Sequence, residues 1–348
     1  MKRHLKLLFL VQLAASLLVG CAGRGQAAWS PDYRTGLILT QESKETSKIL
    51  LLDESGQVIS RRNCPYGTMG HFGYQQQIIR DGVLYEAPVG IATKKDFGKI
   101  VGFDLKTGEA AEYDFKRDNI TALDADGTCL YALSNLNGVT YFDRMNRESG
   151  SISTVTCEDI MTLHICVMGG RLYGLGENLD TGRFQLYRVD FEEESRITIK
   201  DLPENVTEDP VLLSAFGQQL YFVSGTVLYT YDPASGKLAE KTLQGDGGYA
   251  AFPYEQTVFV ICMSEDYTDT RVELYDRNSL EYITSIELAD AYYQMELSED
   301  TLILSSDTAL YYYDISDRQK PQLEKSVTFE DEVTGDYIYG GFFINEEN

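Results

Sequence analysis

Three histidines are a small stock for acid–base or metal chemistry in a chain of 348 residues. His4 lies in a basic N-terminal run, which leaves His71 and His164 in separate, strand-like parts of the chain. A nucleophile–base–acid arrangement can be assembled from any order along a sequence. A lone histidine in a strand is nevertheless more often a satisfied core residue. His71, within Gly67-Thr68-Met69-Gly70-His71-Phe72-Gly73, is the better binding candidate, because glycines let another group approach closely. Asp124-Ala125-Asp126-Gly127 echoes part of a calcium loop, but that motif needs further oxygen ligands and a distal glutamate. A tight turn accounts for it fully. Cys64, Cys129, Cys157, Cys166 and Cys262 lack the close spacing of a zinc site. Their odd number and even spread do not form a disulfide framework. No glycine-rich phosphate loop stands between a strand and a helix. The sequence therefore assigns no catalytic residue, no metal ligand and no cofactor.

The elements behind these residues are repeated. Strand-like runs end at Asp53, Asp104, Asp143, Asp190, Asp232, Asp276 and Asp314, at steps of 38 to 51 residues. That is close to the length of a propeller blade, about 40–50 residues. Each aspartate opens a turn such as Asp53-Glu54-Ser55-Gly56 or Asp232-Pro233-Ala234-Ser235-Gly236, where its side chain can bond the backbone two residues on. A second apolar run precedes each aspartate, often after a tight-turn pair such as Asp81-Gly82 or Gly169-Gly170. A third run precedes that turn and a fourth follows the aspartate. The expected fold is all-β: a seven-bladed β-propeller of four-stranded antiparallel blades. The first unit lacks its first strand, and an unassigned strand, Tyr337 to Ile344, follows the last. The ring is expected to close with that C-terminal strand, because an open ring leaves edges that pair with other chains.

Composition agrees with a single repeat domain. The apolar fraction of 43% suits a globular chain, and the formal net charge is −24. Such a charge repels nucleic acid and anionic headgroups. At the N-terminus, Lys2, Arg3 and Lys6 precede an apolar stretch from Leu7 to Leu18, the pattern of a secretory signal. Leu18-Val19-Gly20-Cys21 resembles the bacterial lipobox. The resemblance implies that Cys21 is lipidated and becomes the new N-terminus. The expected organisation is a lipoprotein signal peptide over 1–20, a lipidated flexible tether over 21–33 and the propeller over 34–348, placed on the extracytoplasmic side of the cell membrane.

The repeats resemble those of the quinoprotein and WD-repeat propellers. The last, Leu310 to Leu323, is similar to the LVIVD-type repeat of bacterial surface proteins. Trp29 is the only tryptophan, so the Trp-Asp ending of WD repeats, the tryptophan docking of quinone-dependent dehydrogenases and the sialidase Asp-box are all missing. The resemblance thus implies fold, and fold does not give function. In architecture the chain resembles envelope lipoproteins that help assemble other proteins. The reading is a non-catalytic binding or scaffolding module. An envelope enzyme acting on glycan or peptide through rim carboxylates is the alternative. Paired carboxylates in a pocket would favour the enzyme, and an exposed apolar patch the scaffold.

The long segments, among them Pro88 to Gly98, Leu202 to Pro210 and Ser264 to Thr270, fall on one face of the ring. Functional loops on a rigid scaffold tend to be the long ones. Tyr66, Tyr249, Tyr292, Tyr293 and Tyr337 fall where first strands begin, and Asp266 and Asp269 lie among the acids of this face. With His71 these are the candidate ligand-binding residues. Tyrosine with carboxylate suits a sugar, a cationic group or a basic protein segment. The expected partners are the bilayer, through the acyl anchor, and a protein or carbohydrate on this face.

Overall fold

The computed structural model describes residues 29, 30, 32–41, 44, 46–70, 77–88, 98–192, 196–204, 206, 208–264, 266, 270–288, 294–335 and 337–345. Seven four-stranded antiparallel sheets account for nearly all of them. Blade one is Ile338–Ile344, Thr35–Thr40, Ser47–Leu52 and Val58–Cys64, in that spatial order. Blade two is Ile78–Arg80, Val83–Glu86, Lys99–Asp104 and Ala110–Asp114. Blade three is Ala122–Ala125, Cys129–Leu136, Val139–Asn146 and Ile152–Glu158. Blade four is Ile160–Met168, Arg171–Asn178, Arg183–Asp190 and Arg196–Asp201. Blade five is Val211–Phe216, Gln219–Ser224, Val227–Asp232 and Lys237–Thr242. Blade six is Gly248–Tyr254, Thr257–Met263, Thr270–Asp276 and Tyr282–Leu288. Blade seven is Gln294–Ser298, Thr301–Ser305, Ala309–Asp314 and Gln322–Thr328. The only helix among the described residues is the short 3-10 turn Glu330–Glu332.

The burial pattern explains why these sequences make blades. Second strands such as Thr35–Thr40 and Thr257–Met263 are buried along their whole length. Strands covered on both faces read as continuous apolar runs. Outer strands such as Val58–Cys64 alternate between exposed and half-buried, with the period of two of a half-solvated sheet. The core is not one mass but seven clusters, one at each boundary between neighbouring blades. Along Thr35–Thr40, Leu37 and Leu39 pack toward blade seven and Ile38 toward blade two. Phe342 and Phe343 divide between the same two boundaries.

The C-terminal strand closes the ring as the sequence implied. Ile344 pairs with Thr35, Phe342 with Leu37, and Ile338 with Thr40, with a bulge at Ile38 and Leu39. The residues just before Thr35 and just after Ile344 are tied at this seam. The Asn345 amide nitrogens donate to Arg34 O at 2.9 Å and to Tyr33 O at 3.2 Å. Chain packing already begins at Trp29, inside the stretch read from sequence as tether. Its ring stacks on Phe343, with centroids 5.7 Å apart, and Tyr33 donates to Leu105 O at 2.8 Å. Gly108 must be glycine here, because a Cβ would lie 2.1 Å from the Trp29 ring.

Two of the seven repeated aspartates stand apart: Asp143, and Asp190, whose carboxyl accepts the Arg188 guanidinium at 2.8 and 3.1 Å. Asp53, Asp104, Asp232, Asp276 and Asp314 each accept a turn N–H two residues on, at 2.8–3.1 Å. The Ser55 hydroxyl, the Ser235 hydroxyl, the Ser279 N–H and the Ser316 N–H, each within the same turn, do most to hold the Asp53, Asp232, Asp276 and Asp314 carboxyls below their ordinary range. Asp143 does not cap a turn. The third strand of blade three runs on to Asn146, and Asn146 Oδ1 accepts the turn N–H groups of Glu148 and Ser149 instead. Asp143 is left inside the sheet, where Arg117 clamps it with two nitrogens at 2.5 and 2.8 Å.

Removal of residues 336–348 tests the seam. It strips Phe342, Phe343 and Ile344 from two core clusters, each worth about 1.5–3 kcal/mol of apolar burial. The expected result is a fall in melting temperature on the order of 10 °C, with loss of monodispersity from two exposed edges. A truncated chain that melts like the full one would show that closure lies elsewhere.

Candidate functional site

The strand order places second-to-third connections and blade-to-blade links on one face, and the aspartate turns on the other. The former is the long-loop face. Its links are fixed by small buried hydroxyls at the ends of the central strands. Thr40 accepts the Met69 N–H at 2.8 Å, and Ser47 donates to Tyr66 O at 2.8 Å. Thr140 donates to Ile160 O at 2.6 Å, and Ser224 to Glu208 O at 2.6 Å. Ser134 donates to Asn119 O and Ser305 to Gln294 O. Each bond satisfies backbone that would otherwise be buried without a partner.

Blade two differs. At the matching position stands Glu86, fully buried, whose carboxyl accepts the Gly70 N–H at 3.1 Å. Burial pushes its pKa up to about 8. Next to the end of this strand pair is Gln77, 6% exposed, whose side-chain amide has no hydrogen-bond partner. Gln77 reaches the closing strand: a Cβ on Gly341 would lie 2.5 Å from its Nε2. On the other flank, Gln294 of blade seven donates to Phe342 O at 2.7 Å and accepts from Phe342 N at 2.9 Å. It thereby copies a strand ladder with its side chain. Tyr339 also donates to Gln294 Oε1, at 3.2 Å. Gly70 has a φ of +98°, and a Cβ there would lie 1.8 Å from Gly340 O. The glycines that suggested close approach of a ligand thus include one whose near neighbour is the closing strand's own backbone.

Four of the ligand-binding candidates from sequence fall among the described residues. Tyr66 is 6% exposed between blades one and two, edge-on to Phe103, and donates to Glu112 at 3.0 Å. Tyr249 is half-buried against the blade six and seven core. Tyr337 is half-buried with the Lys48 ammonium 3.9 Å from its ring centroid. That is a cation over a tyrosine face, the contact expected of these rings, here made within the chain. Asp266 is exposed and accepts Ser264 Oγ at 2.7 Å. His71, Asp269, Tyr292, Tyr293 and Cys21 lie outside the described residues.

The other sequence candidates are used structurally. Asp126 Oδ1 accepts the N–H groups of Thr128 and Cys129, both at 2.8 Å, and Oδ2 accepts the Tyr131 hydroxyl at 2.7 Å. Asp124 is buried, bonds the Val167 N–H of blade four at 2.6 Å, and lies 3.3 Å from Arg80 of blade two. His164 is crowded on its inner strand, and burial lowers its pKa to about 4, so it is uncharged near neutrality. Burial pushes the Cys64 thiol up to about 12, which keeps it protonated. Among the described residues no three His, Cys, Asp or Glu side chains stand close enough to hold a metal ion. Glu86, Gln77 and Gln294 were not singled out from sequence. The available signal was Tyr85-Glu86, an acid where other blades have Leu39-Thr40, Leu133-Ser134, Val223-Ser224 and Leu304-Ser305.

With the ring and its long-loop face defined, the chain is a seven-bladed β-propeller, and solved structures share that fold. One from the mitotic checkpoint complex matches with a TM-score of 0.62 at 10% identity, covering 89% of this chain and 90% of that one. A functionally unknown protein from Desulfotomaculum acetoxidans matches with a TM-score of 0.62 at 12% identity, covering 89% and 98%. BamB from Moraxella catarrhalis matches with a TM-score of 0.51 at 13% identity, covering 87% of each chain. No family model matches the sequence, and no curated protein resembles it.

Glu86 gives the site a testable pH response. In the unfolded chain its carboxyl ionises near the ordinary value of 4.5, in the fold only near 8. Below both values it is protonated in either state and contributes nothing. As pH rises from about 4.5 to 8 the unfolded state loses the proton first, so folding loses stability. Glu86→Gln keeps an acceptor for Gly70 and removes the titration. Its melting temperature should therefore rise relative to the parent as pH goes from 5 to 8.5. A difference that stays flat across that range would show that Glu86 ionises normally.

Proposed function

We propose that this chain is a lipid-anchored, extracytoplasmic propeller that works as a non-catalytic binding or scaffolding module, held to the membrane through Cys21 and engaging a protein partner on its long-loop face. The observation that carries this reading is where the chain joins the ring. Trp29 and Tyr33 seat beside Gly108 and Leu105, on the aspartate-turn face. Only eight residue steps separate Trp29 from Cys21. At roughly 3.3–3.6 Å per extended residue they reach less than about 30 Å, shorter than the width of such a ring. An anchor at Cys21 would hold the aspartate-turn face toward the bilayer and leave the long-loop face turned outward.

Charge favours the same arrangement. A net charge of −24 gives no attraction to an anionic membrane surface, so retention would rest on acyl chains, which anchor stably in pairs. On this face the buried Glu86 carboxyl is engaged with the Gly70 N–H, which supports a structural use of that acid over catalysis. One structural neighbour comes from the mitotic checkpoint complex, a multi-protein setting that supports a protein partner here.

The test is Cys21→Ser in the full chain. The parent should fractionate with membranes and incorporate an alkyne fatty-acid label. The variant should lose the label and either leave the membrane or accumulate with its signal uncleaved. An unmodified N-terminus at another residue, found by mass spectrometry, would sink the anchoring.

A further inference from the structure

Blade four carries an apolar pair on the long-loop face that no core cluster takes up. Met161 is 39% and Leu179 47% exposed. Ile160 pairs with Asn178 and Met161 with Glu177, which sets Leu179 diagonal to Met161 on the same side of the sheet. Diagonal neighbours at that spacing are within reach of long side chains. Tyr173 and Leu175, on the same side of the same strand, pack into the boundary with blade five. The pair is therefore the outer end of a buried row. Its position is fixed from below: the Leu179 N–H donates to Asp159 O at 2.8 Å, and the Asp159 N–H to Gly138 O at 3.1 Å. Asp159 holds a φ of 60° to make both bonds. The tie leads to the blade-three hairpin at Gly138. By contrast Ile59, Ile152, Ile199, Tyr282 and Leu323 stand singly on outer strands, where scattered apolar exposure is ordinary.

The surround is mainly acidic. Glu158, Asp159 and Asp180 are exposed and Glu177 is half-buried. The nearby Arg183 is paired with Glu204. An apolar centre rimmed by charge has the anatomy of a protein interface, and the rim's sign selects the partner.

We propose that Met161 and Leu179 dock a segment of a partner protein that presents large apolar side chains flanked by lysine or arginine. This rests on the reading of the long-loop face as the working face, and it names both the place and the chemistry of the partner. A second copy of the chain fits poorly, because each copy brings a net charge of −24.

The experiment uses the full chain in phosphatidylcholine vesicles, with empty vesicles as the blank. The probe is a short fluorescent peptide alternating leucine with lysine. One companion has glutamate for lysine, and another serine for leucine. The lysine–leucine peptide should bind, with affinity falling as salt rises, and both companions should bind at least about 10-fold more weakly. Met161→Ser with Leu179→Ser should cost about 10-fold in affinity at an unchanged melting temperature. Glu158→Lys with Asp180→Lys should slow association, whereas Glu109→Lys with Glu148→Lys, on the opposite face, should not. Equal binding by the serine double variant, equal binding by the serine peptide, or equal slowing by the control pair would each overturn the proposal. So would concentration-dependent self-association that the same serine pair abolishes, which would assign the surface to a second copy. Failure here with Cys21 still labelled leaves the anchoring reading standing. Loss of anchoring with peptide binding intact removes that reading alone.

Discussion

The ladder between the closing strand Ile338–Ile344 and Thr35–Thr40 is the constraint on which the rest of the ring depends. A blade buries its two faces only against its neighbours, and in this chain every core cluster straddles a boundary between blades. Without the closing strand, two boundaries lose the residues that fill them, Phe343 at one and Phe342 at the other. The seam is reinforced by several kinds of contact at once. Gln294 grips Phe342 from blade seven, Gly340 and Gly341 give room for Met69, Gln77 and Gln294, and Trp29 stacks on Phe343.

Close packing at the seam has a polar consequence. Blades one, three, five and seven fix their links with Ser or Thr hydroxyls, small groups that are cheap to desolvate. Blade two uses a carboxyl, which burial holds largely protonated near neutrality. The same low-dielectric setting that strengthens the Gly70 bond disfavours the charge. The long-loop face therefore combines a tightly packed interior with an acidic rim. The apolar row of blade four reaches that rim through Met161 and Leu179.

Architecture was legible in the sequence because the repeated unit writes the same period each time. Strand, turn and aspartate recur through Asp53, Asp104, Asp232, Asp276 and Asp314, and the orphan strand at the C-terminus matched the strand missing from blade one. Asp143 was misread because local pattern cannot reveal that a strand continues three residues further, to Asn146. Trp29 read as part of a tether because its neighbours are small and polar, and its burial depends on Phe343, more than 300 positions away. The site was less legible for the same reason. Tyr66 looks available in sequence, yet its ring is consumed by Phe103 and its hydroxyl by Glu112. Met161 and Leu179 look like ordinary strand residues, and only the register that sets them on one side shows them as a pair.

The closing strand pairs with a segment far upstream of it. Blades two to seven all lie between Thr35 and Ile344, so the pair that completes blade one forms only after their residues have been made. Contacts this distant in sequence are slow to find. Until then blade one lacks its inner strand, and its pairing edge stays open.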